Sequence, residues 1–259
     1  MSNATVQTTN KGTVIITGAT SGIGLAAAHS FCAAGWRVIA TGRRQERLDQ
    51  LQSELGTDNL LTCCFDVRNQ LQVERSLTTL PDEWRTIDVL INNAGLARGL
   101  SDVAQGQISD WEEMVDTNIK GLLYVSRAIA PGMIARQRGH IINIGSTAGK
   151  EVYPNGNVYC ATKHAVDALT QGMRIDWVRF GIKVSALHPG YVETEFSEVR
   201  FHGDRQRAAR VYDGFKPLAP TDVAGVLLYM VQAPDHVNLA DVVLLCKAQA
   251  SAQLTHREA

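Results

Sequence analysis

What most constrains the fold of this chain is an alternation. Short, β-rich apolar runs, TVIIT (13–17), RVIAT (37–41), LLTCCF (60–65), IDVLI (87–91), HIINIG (140–145), KVSALH (183–188) and VVLLC (242–246), are separated by stretches of helical length at 23–34, 44–54, 69–79, 110–137, 157–180 and 220–232. Runs that are apolar throughout mark strands buried on both faces. Their regular alternation with helices predicts an α/β fold, a doubly wound sheet of seven parallel strands with helices on both faces. Gly35, Gly139 and Gly181 follow the first, fourth and fifth helical stretches as expected C-terminal stops. Thr221-Asp222, after Pro220, opens the last one. A chain of 259 residues, 45% hydrophobic, can bury one large core, so 1–259 is expected to be a single domain with the polar residues 1–11 as a flexible arm. The segment 194–215 breaks the alternation and carries Arg200, Arg205, Arg207 and Arg210. It is either a mobile flap over a site or a solvated helical excursion.

Composition removes whole classes of function. The net charge is −1, with no basic excess to hold a nucleic acid or a membrane surface. No apolar run approaches the length of a membrane span, and MSNATVQTTNKG lacks the apolar centre of a secretion signal. The expectation is a cytoplasmic protein. The five cysteines (32, 63, 64, 160 and 246) are odd in number and lack CxxC spacing. They indicate neither a disulfide framework nor a zinc ribbon, and no metal is expected.

Between the first strand and the first helix lies TGATSGIG, residues 17–24. Gly18, Gly22 and Gly24 allow a tight turn and close approach of backbone to a pyrophosphate, and the helix that follows offers free N–H groups and a positive dipole end. Thr20, Ser21 and Ile23 belong to the same turn. In this strand–turn–helix context the turn predicts a Rossmann-type dinucleotide site. The second strand ends in TGRR, where an NAD site places an acid for the ribose hydroxyls. Arg43 and Arg44 stand there instead, and guanidinium forks suit the 2′-phosphate of NADP. Asp66 and Val67 end the third strand, in reach of an adenine. Asn93, Ala94 and Gly95 end the fourth, where small residues let a cofactor lie close.

NVYCATKHAV (157–166) holds two pairs at helical spacing, Tyr159/Lys163 and Cys160/His164, on faces about 100° apart. Cys160 and His164 would make a nucleophile with its base, but no acid is near in sequence, and a buried cysteine packing the helix is the simpler role. Tyr159 and Lys163 suit proton transfer. A free phenol titrates near pH 10, and a lysine one turn along favours tyrosinate.

Together with NNAG (92–95), Asn118, Ser146, YCATK (159–163) and HPGYVETEF (188–196), the glycine turn resembles the short-chain dehydrogenase/reductase family over nearly the whole chain. The resemblance implies a catalytic set of Asn118, Ser146, Tyr159 and Lys163. Tyr159 would be the acid/base, and Ser146 would hydrogen-bond the reacting oxygen. Lys163 would hold the nicotinamide ribose, and Asn118 a relay water. It also implies that Pro189, Gly190, Val192 and Thr194 face the cofactor, and that chains associate as a homotetramer through 110–137 and 157–180. ATGRRQERL (40–48), INNAGLA (91–97), HIINIGSTAG (140–149), GNVYCATK (156–163) and VETEFSEVRF (192–201) are similar to the NADP-dependent 3-hydroxy acid dehydrogenases of that family. This implies a short anionic alcohol or carbonyl substrate such as serine, allo-threonine or 3-hydroxyisobutyrate. Its carboxylate needs a cationic clamp, with Arg98 and Arg200 as candidates. The sequence departs from the subgroup at Arg98 and Tyr191, where smaller residues are usual. This leaves room for other substrates, among them sulfoacetaldehyde, a diketone or an acyl thioester. A non-catalytic NADP sensor on the same fold is the remaining alternative.

Overall fold

The computed structural model describes residues 11–258. The expected arm lies, up to residue 10, outside the described residues; Lys11 itself is held, its N–H donating to the Gly35 carbonyl. The seven expected strands form, as β1 (Thr13–Ile16), β2 (Arg37–Gly42), β3 (Leu60–Cys64), β4 (Val89–Asn92), β5 (Gly139–Ile144), β6 (Ile182–Pro189) and β7 (Asp241–Leu244). They make one sheet in the order β3-β2-β1-β4-β5-β6-β7, with every neighbouring pair parallel. Val14 of β1 lies opposite Val38 on one side and Val89 on the other. The strand order reverses between β1 and β4, and open α/β sheets bind ligands at the carboxyl ends of such strands.

The two faces of the sheet build separate cores because successive side chains point opposite ways. Val14 and Ile16 enter one core with Phe31 of α1 (Gly22–Ala33) and Leu227 of α9 (Pro220–Gln232). Ile15 enters the other with Val125 and Met133 of α5 (Leu122–Arg136). Each fully buried side chain of this size stabilises the fold by about 1.5–3 kcal/mol. The Asp222 carboxylate accepts the Ala219 N–H and so fixes the start of α9 after its Pro220. Around the sheet run α2 (Gln45–Leu55), α3 (Gln70–Thr78) and α6 (Asn157–Trp177).

Three expectations bear closer description. The stretch 110–137 is helical as expected but not α-helical throughout: α4 (Ile108–Val115) runs into α5 through a π-helical segment, Asp116–Gly121. Its wider turn carries Asn118 inward, and Gly121 there lets the segment pass Val67, whose Cγ2 lies 2.7 Å from the point a Cβ would occupy. Gly139 is not a helix stop either. Gln137 takes the left-handed conformation (φ 52°), and Gly139 opens β5 against Met133. The segment 194–215 joins both its readings. It is helical, with α7 (Phe196–Arg200) and α8 (Arg205–Arg210), and it walls a cavity.

Candidate active site

A cavity of about 810 Å³ opens along the carboxyl ends of the strands. One end of it is built by the glycine turn. Gly18 (φ 68°) is left-handed, and a Cβ there would stand 2.9 Å from the Ala94 Cα. Gly22 (φ 52°) is left-handed too, and a Cβ there would stand 3.1 Å from the Thr194 Cγ2. Gly24 does not line the cavity. A Cβ on it would lie 2.3 Å from the Gly18 carbonyl oxygen, so Gly24 seats the helix against the turn. Asn93 ties β4 to that turn, its amide donating to the Thr17 and Gly18 carbonyls at 2.8 and 3.2 Å. Thr20, Ser21, Ile23, Asn93, Ala94 and Gly95 all face the cavity. So do Asp66, Val67, Pro189, Gly190, Val192 and Thr194.

Arg43 and Arg44 line the same end but differ in their ties. Arg44 donates to the Thr20 hydroxyl from Nε (3.2 Å) and Nη2 (3.1 Å), and from Nη1 to Glu195 (2.8 Å). Arg43 is half-exposed, with its nearest carboxylates, Asp66 and Glu113, at 3.8 and 3.9 Å. Those acids are engaged more closely by Arg68 and Arg98. Three arginines thus share two carboxylates, leaving one positive charge over, and Arg43 is the arginine held most loosely. The glycine cradle with a spare guanidinium beside it fits a pyrophosphate and a ribose phosphate.

At the other end, Ser146, Tyr159 and Lys163 converge. Ser146 caps the short turn after β5, its Oγ accepting the Ala148 N–H at 3.1 Å. Lys163 lies one helical turn beyond Tyr159 on α6, and its Nζ donates to the Ile144 carbonyl at 2.9 Å. Burial holds the Lys163 ammonium down to about 8. Burial, with Tyr153 adding to it, pushes the Tyr159 phenol up, while Arg200 and a hydrogen bond with Ser146 draw it back. Arg200 is thus a cation that acts on the phenol, and the Lys163 Nζ lies 6.0 Å from the same ring's centroid. Asn118 reaches the same corner. A Cβ on Gly95 would meet its Oδ1 at 3.3 Å and the Lys163 Nζ at 3.5 Å. Its amide is committed: Oδ1 accepts the Leu96 N–H (2.9 Å), and Nδ2 donates to the Leu96 carbonyl (2.8 Å) and the Thr162 hydroxyl (3.0 Å).

The two candidate clamps separate cleanly. Arg98 stands outside the cavity wall, its Nε 2.7 Å from Glu113 and its Nη1 on the Val199 carbonyl at 2.8 Å. Its guanidinium is paired with Glu113 and Val199 and does not line the cavity, unlike the position expected of a clamp. Arg200 lines the cavity. Its guanidinium lies 4.9, 5.5 and 5.6 Å from the ring centroids of Tyr159, Phe196 and Tyr153, and it touches the Tyr153 hydroxyl. Its Nε has no hydrogen-bond partner, and no carboxylate pairs with it among the described residues. Tyr191 lines the cavity with its ring edge-on to Phe215 at 5.3 Å.

Several wall residues escape sequence reasoning. Tyr153 and Phe196 form the arginine's cage. Gln249 accepts the Tyr191 N–H at 3.0 Å, and Gln253 and Arg257 come from the far end of the chain. Cys160, buried beside Tyr159, does not face His164's ring; His164 Nδ1 pairs with the Cys160 carbonyl at 2.9 Å, as ordinary helix packing. Behind the site, Asp167, His188 and Asp241 bring ligand-type atoms within 4.8 Å of one another. The Lys150 ammonium already bridges the two carboxylates at 3.0 and 2.7 Å.

A parallel sheet with a glycine cradle at its switch point and a serine, tyrosine and lysine at its carboxyl edge defines a class of nucleotide-dependent oxidoreductase. The chain matches the short chain dehydrogenase family over residues 12–204 and belongs to it. It is 47% identical over 246 residues to the NADP-dependent 3-hydroxy acid dehydrogenase YdfG of Salmonella typhi, spanning 94% of this chain and 99% of that one. It is 41% identical over 234 residues to the serine 3-dehydrogenase of Agrobacterium fabrum, spanning 90% and 93% of the two. Among solved structures it superimposes on the closed form of a serine dehydrogenase complexed with NADP+ with a TM-score of 0.91 and 46% identity, covering 95% of this chain and 100% of that one.

Proposed function

We propose that this chain is an NADP-dependent dehydrogenase that interconverts a short 3-hydroxy acid and its 3-oxo acid or semialdehyde. The observation that carries this reading is Arg200, a cation without a carboxylate partner, held in an aromatic cage directly over the ring of Tyr159. A substrate carboxylate bound to that guanidinium brings a hydroxyl a few bonds away to the phenol and to Ser146. Both close relatives whose names give a substrate act on such acids.

The residues divide the work. The glycine turn, with Asp66, Val67, Asn93, Ala94, Pro189, Gly190, Val192 and Thr194, cradles the dinucleotide, and Arg43 meets its 2′-phosphate. When bound, the nicotinamide supplies hydride chemistry, which no side chain here can provide. Tyr159 takes the hydroxyl proton in oxidation and returns it in reduction. Ser146 hydrogen-bonds the reacting oxygen as charge develops. Lys163 anchors the ribose side. Asn118 braces Leu96 and, through it, the loop that carries Gly95. Tyr191 shapes the far wall. The five cysteines are all free, which fits a cytoplasmic enzyme. Exposed Leu123 on α5 and Ile175 on α6 fit a homotetramer paired through these helices.

Turnover of NADP+ with serine or 3-hydroxyisobutyrate tests the reading directly. Tyr159→Phe should lower kcat by about 10²–10⁴-fold while NADPH still binds. Cofactor binding with no turnover on any hydroxy acid or small carbonyl would mark the chain as a sensor instead.

A further inference from the structure

Glu195 stands at the base of the 194–215 segment, between Thr194, which packs on Gly22, and the first turn of α7. Its Oε2 lies 2.8 Å from Arg44 Nη1, and its Oε1 lies 3.6 Å from Arg47 Nη2. The same Arg44 fork reaches back to Thr20, bonding the hydroxyl twice and the carbonyl once at 3.2 Å. This chain of contacts crosses the cavity mouth. Thr20 and Arg44 belong to the wall that follows β1 and β2, Glu195 to the opposite wall that follows β6, and all three line the cavity.

We infer that Glu195 is a positioning residue for the cofactor: by holding Arg44 and Arg47 it latches the base of the flap over the dinucleotide and governs its release. The inference rests on the dinucleotide site proposed above. A carboxylate seated on arginine could instead mimic the 2′-phosphate and compete with it. Two observations favour the latch. Arg43, tied only to Asp66 and Glu113 at 3.8 and 3.9 Å, can take the phosphate without displacing Glu195. Nε and Nη2 of Arg44 are committed to Thr20. A latch of this kind acts on any dinucleotide, whether or not it carries the extra phosphate.

Glu195→Gln keeps the side chain's size and removes its charge. Stopped-flow displacement of bound NADPH and NADH, with thermal unfolding as a control, reads the effect. The pair is well exposed, so the expected change is modest: both cofactors leave faster by the same factor, about threefold, and the unfolding midpoint does not move. Arg47→Gln, which lies outside the cavity wall, should speed both by a smaller factor. Unchanged release of both cofactors from Glu195→Gln would overturn the latch. Slower release of NADPH alone would overturn it in favour of a phosphate mimic. A wild-type chain that binds neither dinucleotide defeats the proposed function itself, an outcome separate from a latch that fails.

Discussion

At the scale of single residues, the site is shaped by burial working against charge. Lys163 is enclosed, and a fall in its pKa from 10.5 to about 8 corresponds to about 3 kcal/mol for burying the charged form. The sign follows from linkage. Below pH 8 both folded and unfolded chains carry the ammonium, and the full penalty applies. Between pH 8 and 10.5 the folded chain has lost its proton first, so stability rises with pH and the penalty fades. Lys163→Met should therefore raise the unfolding midpoint of the cofactor-free protein at pH 7, with the gain shrinking above pH 8, while turnover is lost. A drop in midpoint at pH 7 would contradict the assigned burial cost. The phenol of Tyr159 is pushed upward by burial. In the proposed mechanism oxidation needs its tyrosinate and reduction its phenol, so kcat/KM for oxidation should keep climbing from pH 7 into the alkaline range, while that for reduction stays flat at neutral pH. A plateau for oxidation at pH 7 would show that something other than Tyr159 takes the proton.

At the scale of elements, glycine decides how closely helix, strand and cofactor meet. Gly24 lies inside α1, where alanine would gain up to about 1 kcal/mol of helix propensity. Its Cβ would sit 2.3 Å from a backbone oxygen and 2.5 Å from the Asn93 amide, so the clash outweighs the propensity. Gly24→Ala should lose about 1–3 kcal/mol of stability, measured by denaturant titration, and should weaken NADPH binding because Gly18 must shift. Helix and strand positions were legible in the sequence because burial on both faces leaves unbroken apolar runs. The π turn at Asp116–Gly121 was not legible, since it accompanies Asn118 turning inward to meet Leu96 and Thr162, contacts that no local pattern encodes. Gly139 misled for a similar reason: it is needed for its closeness to Met133, and Gln137 supplies the left-handed turn.

At the scale of the whole molecule, the cofactor end could be read from the sequence and the substrate end only partly. The glycine turn, TGRR and the strand-end residues proposed to hold the dinucleotide each lie next to the strand that presents them. The substrate end is assembled from distant pieces: Tyr153 after β5, Arg200 in the flap, and Gln249 and Arg257 near the end of the chain. Sequence alone left Arg98 and Arg200 equal; only the fold shows one bound to Glu113 and the other uncompensated in the cavity. The outward Leu123, Ile175 and Val178, exposed by 37, 75 and 68%, predict a sedimentation mass four times that of the 28.2 kDa chain, and a charged residue at Ile175 should lower it. The central claim is that Arg200 selects an anionic 3-hydroxy acid beside Tyr159. Its most direct test is kcat/KM with NADP+ for 3-hydroxyisobutyrate and for a neutral alcohol of similar size, measured in wild type and Arg200→Ala. The account predicts that the substitution lowers the value for the acid by at least about tenfold, through KM, and leaves the neutral alcohol nearly unchanged. Equal losses on both substrates would contradict it.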